Sequence, residues 1–134
     1  MQIKIKNKII SNTSKPFIIA EISANHKNSI SETFKLLEQA AKIKVDAVKF
    51  QTFDLDEMTL NLNRGEFLIK NKFKAKKWNN RTLYSLYKEA QLPLAWHKQI
   101  FKKANKLGLI CFSSVFDLKS LISTASSKHN HVFF

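Results

Sequence analysis

Three short stretches without helical spacing constrain what this chain can fold into. Residues 17–22 and 109–112 are apolar, and residues 46–53 have a period of two, with Ala47, Lys49 and Gln51 on one side and Val48 and Phe50 on the other. The segments between these stretches carry apolar residues every three or four positions. Runs of this length between amphipathic helices are typical of buried strands. The alternation of strand and helix predicts parallel strands joined by right-handed crossovers. The expected fold class is therefore α/β.

The predicted helices have their own start and stop signals. Ser29 and Glu32 form a capping box, in which the serine oxygen accepts a backbone N–H and the glutamate reaches back to the cap. Pro93 begins a helix over 94–107, and Gly108 in the left-handed conformation ends it. The other segments are a helix over 82–90, a hairpin or extension over 1–15 and a stretch without a predicted element over 54–80.

Composition and charge distribution argue against a membrane protein and against a nucleic-acid-binding protein. The 134 residues suit one domain, and neither a membrane span nor a signal peptide is visible, which predicts a cytoplasmic protein without a membrane partner. Cys111, the single cysteine, is expected to be a small buried residue. The net charge of +13 invites a nucleic-acid-binding interpretation. The lysines are spread along the chain without the pattern of a recognised RNA or DNA module, so no nucleic-acid partner is expected, and a basic nucleic-acid-binding protein is kept as the alternative from another class.

Polar side chains stand at the carboxyl end of every predicted strand. They are Glu21, Ser23, Asn25 and His26 after the first, Lys49 and Gln51 in the second, and Ser113 and Ser114 after the third. In parallel α/β folds, sites gather at this edge of the sheet. Each group alone has a structural explanation, such as an ion pair in the core. Together they favour a pocket for a polar anion, because burying charges without partners is costly.

Three stretches of the sequence carry a resemblance to a known family. FIIAEISANH, DAVKFQTF and RTLYSLYKEAQLPLAWHKQIFKKANKLGLICFSSVFD, in this order and spacing, resemble the amino-terminal part of the sialic acid synthase (NeuB-like) family. GEFLIK followed by TLYSLYKEA is most similar to the pseudaminic acid synthase branch, with N-acetylneuraminate and legionaminate synthases as the alternative. The resemblance implies that residues 16–117 are a partial domain, the first three βα units of a truncated (β/α)8 TIM barrel.

The resemblance also implies a chemistry, the condensation of phosphoenolpyruvate with an amino sugar. For the pseudaminic branch the sugar is 2,4-diacetamido-2,4,6-trideoxy-altrose, and the products are a nine-carbon 2-keto sugar acid and phosphate. A divalent metal, Mn2+ or Mg2+, and a homodimer are implied for the intact enzyme. By match to the family motif, Lys49 would bind phosphoenolpyruvate, Ser114 its phosphate, and Glu21 would be the catalytic acid or base. Gln51 and Asn25 are further candidates for substrate binding.

Other polar residues receive different expectations. His26 is expected to fix the first loop by a hydrogen bond rather than to bind metal, and His97 to lie on the surface of its helix. Arg64 and Glu66 are placed on a loop over the sugar. No metal ligand is expected within this chain, because the metal-binding histidines of the family lie on later strands. The H-x-H pair at 129–131 is interpreted as part of an unstructured tail.

Three departures from the family pattern argue against an active chain. Lys44 stands where the family has Gly, and forcing a lysine into the left-handed conformation costs about 1 kcal/mol. Val115 stands where the family has Pro. After Asp117 the expected helix and strand are missing, and residues 118–134 are interpreted as an aberrant tail from a shifted reading frame. Three strands cannot close a barrel and leave the last strand as an open edge. The chain is therefore expected to be an inactive fragment, unstable on its own.

Overall fold

A parallel four-stranded sheet with helices on one side organises the chain. The computed structural model describes residues 2–70, 80–125 and 132–133. In chain order the strands are β1 (Gln2–Ile5), β2 (Lys8–Ser11), β3 (Ile19–Ser23), β4 (Ala47–Thr52), β5 (Ile110–Val115) and β6 (Val132–Phe133). The helices are α1 (Ile30–Lys42), α2 (Leu55–Met58), α3 (Leu83–Ala90), α4 (Leu94–Lys106) and α5 (Leu118–Ala125). The parallel sheet has the order β3-β4-β5-β6, which confirms the predicted α/β class.

The strand β5 is longer than the sequence predicts. The prediction ended it at Phe112, whereas β5 runs to Val115 and includes both serines. The reason is its pairing with β4, which continues through Gln51 opposite Ser114 and Thr52 opposite Val115. The two serines therefore belong to the sheet, and the pairing fixes which face of the sheet each side chain lies on.

The opening segment forms an antiparallel hairpin. Strands β1 and β2 pair with Ile3 opposite Ile10. The hairpin is tied to the start of β4 through Asp46, which accepts from Lys8 Nζ at 2.8 Å and from the Ile18 backbone N–H at 2.9 Å. The hydrogen bond from Lys8, followed by that from the Ile18 N–H, holds the pKa of Asp46 below its usual range.

The capping box of α1 is only half formed. Ser29 Oγ accepts from the Glu32 backbone N–H at 3.4 Å, as predicted. The Glu32 carboxylate does not return to the cap, because it pairs with Lys35 Nζ at 2.6 Å one turn further along. The Ser29 N–H donates to the His26 carbonyl instead, at 2.9 Å.

Two helices end in the same backbone motif but with different residues at the left-handed position. After α1, Lys44 has φ 60°, its N–H donates to the Ala41 carbonyl, and Val45 N–H donates to the Ala40 carbonyl. After α4, Gly108 has φ 75° and makes the equivalent bond to Asn105. Both ends are Schellman motifs, for which glycine is the favoured residue. The left-handed Lys44 that the sequence predicted is confirmed.

Replacing Lys44 with glycine is therefore expected to raise the free energy of unfolding by about 0.5–1 kcal/mol, because the left-handed conformation is strained for a residue with a Cβ. Lys44 is exposed, so the change removes no buried contact. The matched control is Gly108→Ala, where an added Cβ meets nothing within 4 Å and the cost is conformational alone. In urea denaturation, the midpoint should rise for Lys44→Gly and fall for Gly108→Ala. Equal midpoints for Lys44→Gly and the parent chain would contradict the assignment.

The hydrophobic core lies between the sheet and the helices α1 and α4. Its fully buried members include Leu37 of α1, Val48 and Phe50 of β4, and Ile100 of α4. Cys111 of β5 packs in the same cluster with 3% of its surface exposed. The prediction of a small buried residue at this position is confirmed.

Burial raises the pKa of the Cys111 thiol to about 12. Because the thiolate is the reactive form, we expect Cys111 to resist labelling by a disulfide reagent at pH 8 in the folded chain and to react fully in denaturant. The measurement is the absorbance of the released thiolate over time. Immediate stoichiometric labelling without denaturant would show that β5 is not packed as described.

The tail after Asp117 is not structureless, and the prediction of a missing helix is wrong. Asp117 begins α5: its Oδ1 accepts from the Ser120 N–H at 2.7 Å and its carbonyl from the Leu121 N–H at 3.0 Å. The side chains that α5 buries are Ser120 and Thr124, and the Thr124 hydroxyl donates to the Ser120 carbonyl at 2.8 Å. A helix whose inward face carries hydroxyls shows no apolar stripe, so its pattern is easily missed.

The prediction that β5 is an open edge is also wrong. The short strand β6 pairs with it in parallel, with Val132 opposite Ser113 and Phe133 opposite Ser114. In the described part of the chain, the sheet thus has four strands rather than the three predicted. The histidine pair at 129–131 lies outside the described residues.

The segment between β4 and α3 is built from short elements. Asp54 caps α2, a 3-10 turn covers Gly65–Phe67, and Leu68 bridges Thr82. The basic stretch within 71–79 lies outside the described residues. Among the helices of the described part, none is long and apolar enough to cross a bilayer.

Candidate functional site

The strands β4 and β5 present different residues to the two faces of the sheet. Side chains alternate along a strand, and the residues opposite each other in register share a face. The core-facing set contains Val48, Phe50 and Thr52 of β4 with Cys111 and Ser113 of β5. The opposite face carries Lys49 and Gln51 of β4 with Phe112 and Ser114 of β5. The chemistry-bearing residues are therefore sorted onto the face away from the helices.

Glu21 and Lys49 form an ion pair on this face. Glu21 of β3 lies opposite Lys49 of β4, and their Oε1 and Nζ atoms are 2.6 Å apart. The Lys49 side chain is 28% exposed and that of Glu21 48%. An ion pair as open to water as this contributes only about 0–1 kcal/mol to stability. A core ion pair is thus a poor explanation for it, whereas a carboxylate and an ammonium accessible from solvent can both meet a ligand.

Gln51 and Ser114 extend the same polar surface by one step along the strands. They are opposite each other in register, and each is partly buried. The structure therefore brings four of the five predicted site residues onto one face of three adjacent strands: a carboxylate, an ammonium, an amide and a hydroxyl. We refer to Glu21, Lys49, Gln51 and Ser114 as the polar face.

The fifth residue, Asn25, lies on the loop after β3, where it is exposed. The end of β3 and this loop are strained, since Ser23, Lys27 and Asn28 all have φ between 47° and 51° without being glycine. Such conformations persist only where the surroundings hold them, and they cluster at functional sites. The substrate contact predicted for Asn25 stays a prediction.

His26 holds this loop from inside. It is fully buried, its Nδ1 accepts from the Asn28 N–H at 3.0 Å, and its Nε2 lies 3.0 Å from the Ala90 carbonyl. Since Nδ1 is an acceptor, the proton belongs on Nε2, which donates to Ala90. Both ring nitrogens are thus engaged. The prediction of a loop-fixing hydrogen bond is confirmed.

Arg64 and Glu66 lie at the start of the 3-10 turn, where both are exposed. Among the described residues, no hydrogen bond or ion pair joins Arg64 or Glu66 to the polar face, and their place over a sugar stays a prediction. Among the residues that the structure describes, no group of three or more His, Cys, Asp or Glu side chains could hold a metal ion. A divalent cation therefore does not fit the described residues alone.

His97 is buried, and the prediction that it lies on the surface of α4 is wrong. It is 7% exposed, and its Nε2 is 2.7 Å from Thr52 Oγ1, which in turn is 2.6 Å from Ser113 Oγ. The signal was present in the sequence, because His97 shares the helical spacing of Ile100 and Ala104. A polar residue on an apolar stripe shares the buried face of its helix, so the position of His97 indicates burial.

Burial lowers the pKa of His97, while the carbonyls of Pro93 and Leu94 oppose that shift. A histidine pKa lower in the folded state than in the unfolded state means that the unfolded chain binds more protons. The stability that neutral His97 contributes is then fully present above the unfolded-state histidine pKa of about 6.5 and is lost as the pH falls below that value. We expect the urea midpoint to drop between pH 7 and 5, with a shallower drop in His97→Gln. Parallel profiles for the two chains would contradict a neutral buried His97.

Comparisons with known proteins agree on one family. A sequence model of the NeuB family matches residues 36–132, a range that includes α5 and reaches β6. Pseudaminic acid synthase of Campylobacter jejuni serotype O:2 is 45% identical over 102 residues, covering 76% of this chain and 29% of that protein. Pseudaminic acid synthase of Helicobacter pylori is 38% identical over 106 residues, covering 79% and 30%. The chain thus spans less than a third of the length of these curated relatives.

Solved structures show a similar fold. N-acetylneuraminic acid synthetase of Leptospira borgpetersenii, solved with citrate, superimposes with a TM-score of 0.68 at 23% identity, over 92% of this chain and 37% of that one. Spore coat polysaccharide biosynthesis protein SpsE of Bacillus subtilis superimposes with a TM-score of 0.64 at 27% identity, over 94% and 31%. Their fold is the (β/α)8 TIM barrel, and the present sheet corresponds to part of it, which confirms the expected fold.

Proposed function

The chain belongs to the NeuB family, and from this premise we propose that its polar face is part of the site of a pseudaminic acid synthase. The reaction would join phosphoenolpyruvate to 2,4-diacetamido-2,4,6-trideoxy-altrose and release phosphate. The observation that carries the proposal is the solvent-accessible pair of Glu21 and Lys49, 2.6 Å apart, beside Gln51 and Ser114. The higher identity to pseudaminic than to legionaminic acid synthases favours this branch.

Each residue of the polar face has a role in this proposal. The reaction begins when C3 of phosphoenolpyruvate attacks the sugar aldehyde and leaves positive charge at C2. Water adds at C2 with loss of a proton, and the tetrahedral intermediate expels phosphate by C–O cleavage. Lys49 attracts the anionic phosphoenolpyruvate and Ser114 donates a hydrogen bond to its phosphate. Glu21 would transfer a proton at the aldehyde oxygen or the incoming water, and Gln51 would orient that water.

A divalent metal, Mn2+ or Mg2+, would polarise the aldehyde oxygen when bound. The described residues form no metal cluster, so its ligands would come from outside them. We therefore propose that the 134-residue chain does not release phosphate by itself. We further propose that the complete protein works in the cytoplasm, where phosphoenolpyruvate is made, as a homodimer and without a nucleic-acid partner.

The test is a graft of residues 16–117 into C. jejuni pseudaminic acid synthase in place of the matching segment. The expected result is phosphate release from phosphoenolpyruvate that depends on the altrose sugar, with none from the chain alone. A second graft into the legionaminic acid synthase of the same organism tests the runner-up branch. If the second graft is active and the first is not, the pseudaminic assignment fails. If both grafts fold and neither is active, the polar face does not serve this reaction.

A further inference from the structure

Three buried side chains form a hydrogen-bonded chain directly behind the polar face. Thr52 ends β4, Ser113 lies in β5 and His97 lies on α4, and all three are buried. The hydroxyl of Thr52 is the shared member, 2.7 Å from His97 Nε2 and 2.6 Å from Ser113 Oγ. One oxygen atom thus connects two strands and a helix. The polar-face chemistry proposed above does not use any of the three.

The direction of these hydrogen bonds follows from the histidine. His97 Nδ1 lies 3.2 Å from the carbonyls of Pro93 and Leu94, which can only accept, so Nδ1 carries a proton. The lowered pKa makes the neutral ring the main form, and Nε2 is then an acceptor. Thr52 therefore donates to His97, and its oxygen accepts from the Ser113 hydroxyl, which also lies 3.3 Å from the Ser114 carbonyl as a second, longer acceptor contact. His97 has the opposite tautomer to His26, whose proton is on Nε2.

The hydrogen-bonded side chains of Thr52 and Ser113 lie next in sequence to residues of the polar face. Thr52 directly follows Gln51, and Ser113 directly precedes Ser114. Because successive residues point to opposite faces, each buried hydroxyl lies behind a polar-face residue. Gln51 and Ser114 are themselves opposite each other in register. A change in how Thr52 and Ser113 are held would turn or displace both.

We propose that His97, Thr52 and Ser113 are positioning residues that hold Gln51 and Ser114 in place for the phosphate of phosphoenolpyruvate. Backbone pairing sets which residues are opposite each other, and the hydroxyl chain adds a fixed distance between the two strands and α4. The proposal rests on the proposed function for the identity of the ligand. The positioning itself is independent of that ligand.

The experiment uses the 134-residue chain labelled with 15N. The change is Thr52→Val, which keeps the shape and removes the shared hydroxyl, and Thr52→Ser restores the hydroxyl. The matched control is Thr33→Val, an equally buried threonine on α1 whose hydroxyl donates to the Ser29 carbonyl at 2.9 Å. Three readouts are taken: the histidine ring nitrogen shifts, the amide shifts of Gln51 and Ser114, and the dissociation constant for phosphoenolpyruvate from a titration.

In the parent chain we expect His97 to be protonated at Nδ1 and His26 at Nε2. Thr52→Val should move the Gln51 and Ser114 amides and weaken phosphoenolpyruvate binding about fivefold, an effect of the size that residues outside a site exert through packed neighbours. Thr52→Ser should restore most of the affinity, and Thr33→Val should leave both readouts unchanged.

Two results would overturn the proposal. One is a His97 ring protonated at Nε2 in the parent chain, a measurement that needs no variant to fold. The other is a Thr52→Val chain with the same Gln51 and Ser114 amides and affinity as Thr33→Val. If the parent chain shows no response to phosphoenolpyruvate, the proposed site fails in this chain, while the amide shifts and the tautomer still decide whether the positioning is real.

Discussion

Replacing Lys49 with methionine in the active graft is expected to lower kcat/KM for phosphoenolpyruvate by about 100-fold to 1000-fold, the usual cost of removing one group that stabilises charge at a reacting centre. The Lys49 ammonium is the cation of the polar face, and methionine keeps most of the side-chain length without the charge. We expect most of the loss as a raised KM, because in the proposed site the ammonium would attract the phosphate and carboxylate of the free substrate as well. Steady-state phosphate release at varied phosphoenolpyruvate gives both constants.

The matched control is Lys35→Met. Lys35 belongs to an ion pair with Glu32 of the same 2.6 Å length, on the exposed side of α1. Its removal should leave kcat/KM within about twofold, since exposed ion pairs contribute little to stability. Equal losses for the two variants would show that Lys49 acts through general charge rather than at a site. An unchanged KM for Lys49→Met would contradict its contact with phosphoenolpyruvate.

The variant Glu21→Gln distinguishes the role of Glu21 from that of Lys49, its partner in the ion pair. If Glu21 transfers a proton, the amide should lower kcat while KM for phosphoenolpyruvate changes little. General acid or base catalysis contributes about 10²–10⁴-fold, so the loss should be large. A raised KM with an unchanged kcat would instead make Glu21 a binding residue.

The sequence was most informative where its periodicity was simple. The period of two in β4 separates Lys49 and Gln51 from Val48 and Phe50, and the structure keeps that separation. The left-handed Lys44 was predicted from the resemblance, because the family has Gly at this position, and its φ is 60°. The first inference depends on local periodicity, and the second depends on the family pattern.

The sequence was misleading where polar residues are buried. His97 and Thr52 satisfy each other across 45 positions of sequence, and no local pattern shows that partnership. In α5 the inward face carries Ser120 and Thr124, while Leu118 and Ile122 are 71% and 60% exposed. An apolar periodicity would therefore point to the wrong face of α5. Such positions can be recognised only once the strands and helices have been brought together.

Replacing Phe50 with alanine is expected to cost about 3–5 kcal/mol of unfolding free energy, the range for deleting a buried aromatic ring. Phe50 is fully buried on the core-facing side of β4, the strand between β3 and β5, in the cluster with Leu37 and Ile100. A domain of this size has about 5–15 kcal/mol in total, and here one face of the sheet is not covered by helices of the described part. We therefore expect Phe50→Ala to lack a cooperative urea transition at 25 °C.

Two further variants make this result interpretable. Phe50→Leu keeps most of the volume and should cost less than about 2 kcal/mol. Ile43→Ala removes an apolar side chain that is 70% exposed and should change stability by no more than about 0.5 kcal/mol. A Phe50→Ala chain as stable as Ile43→Ala would mean that the cluster does not stabilise the isolated chain. If the parent chain itself unfolds without cooperativity, the core requires the rest of the barrel. That result would agree with the expectation that the chain is unstable on its own.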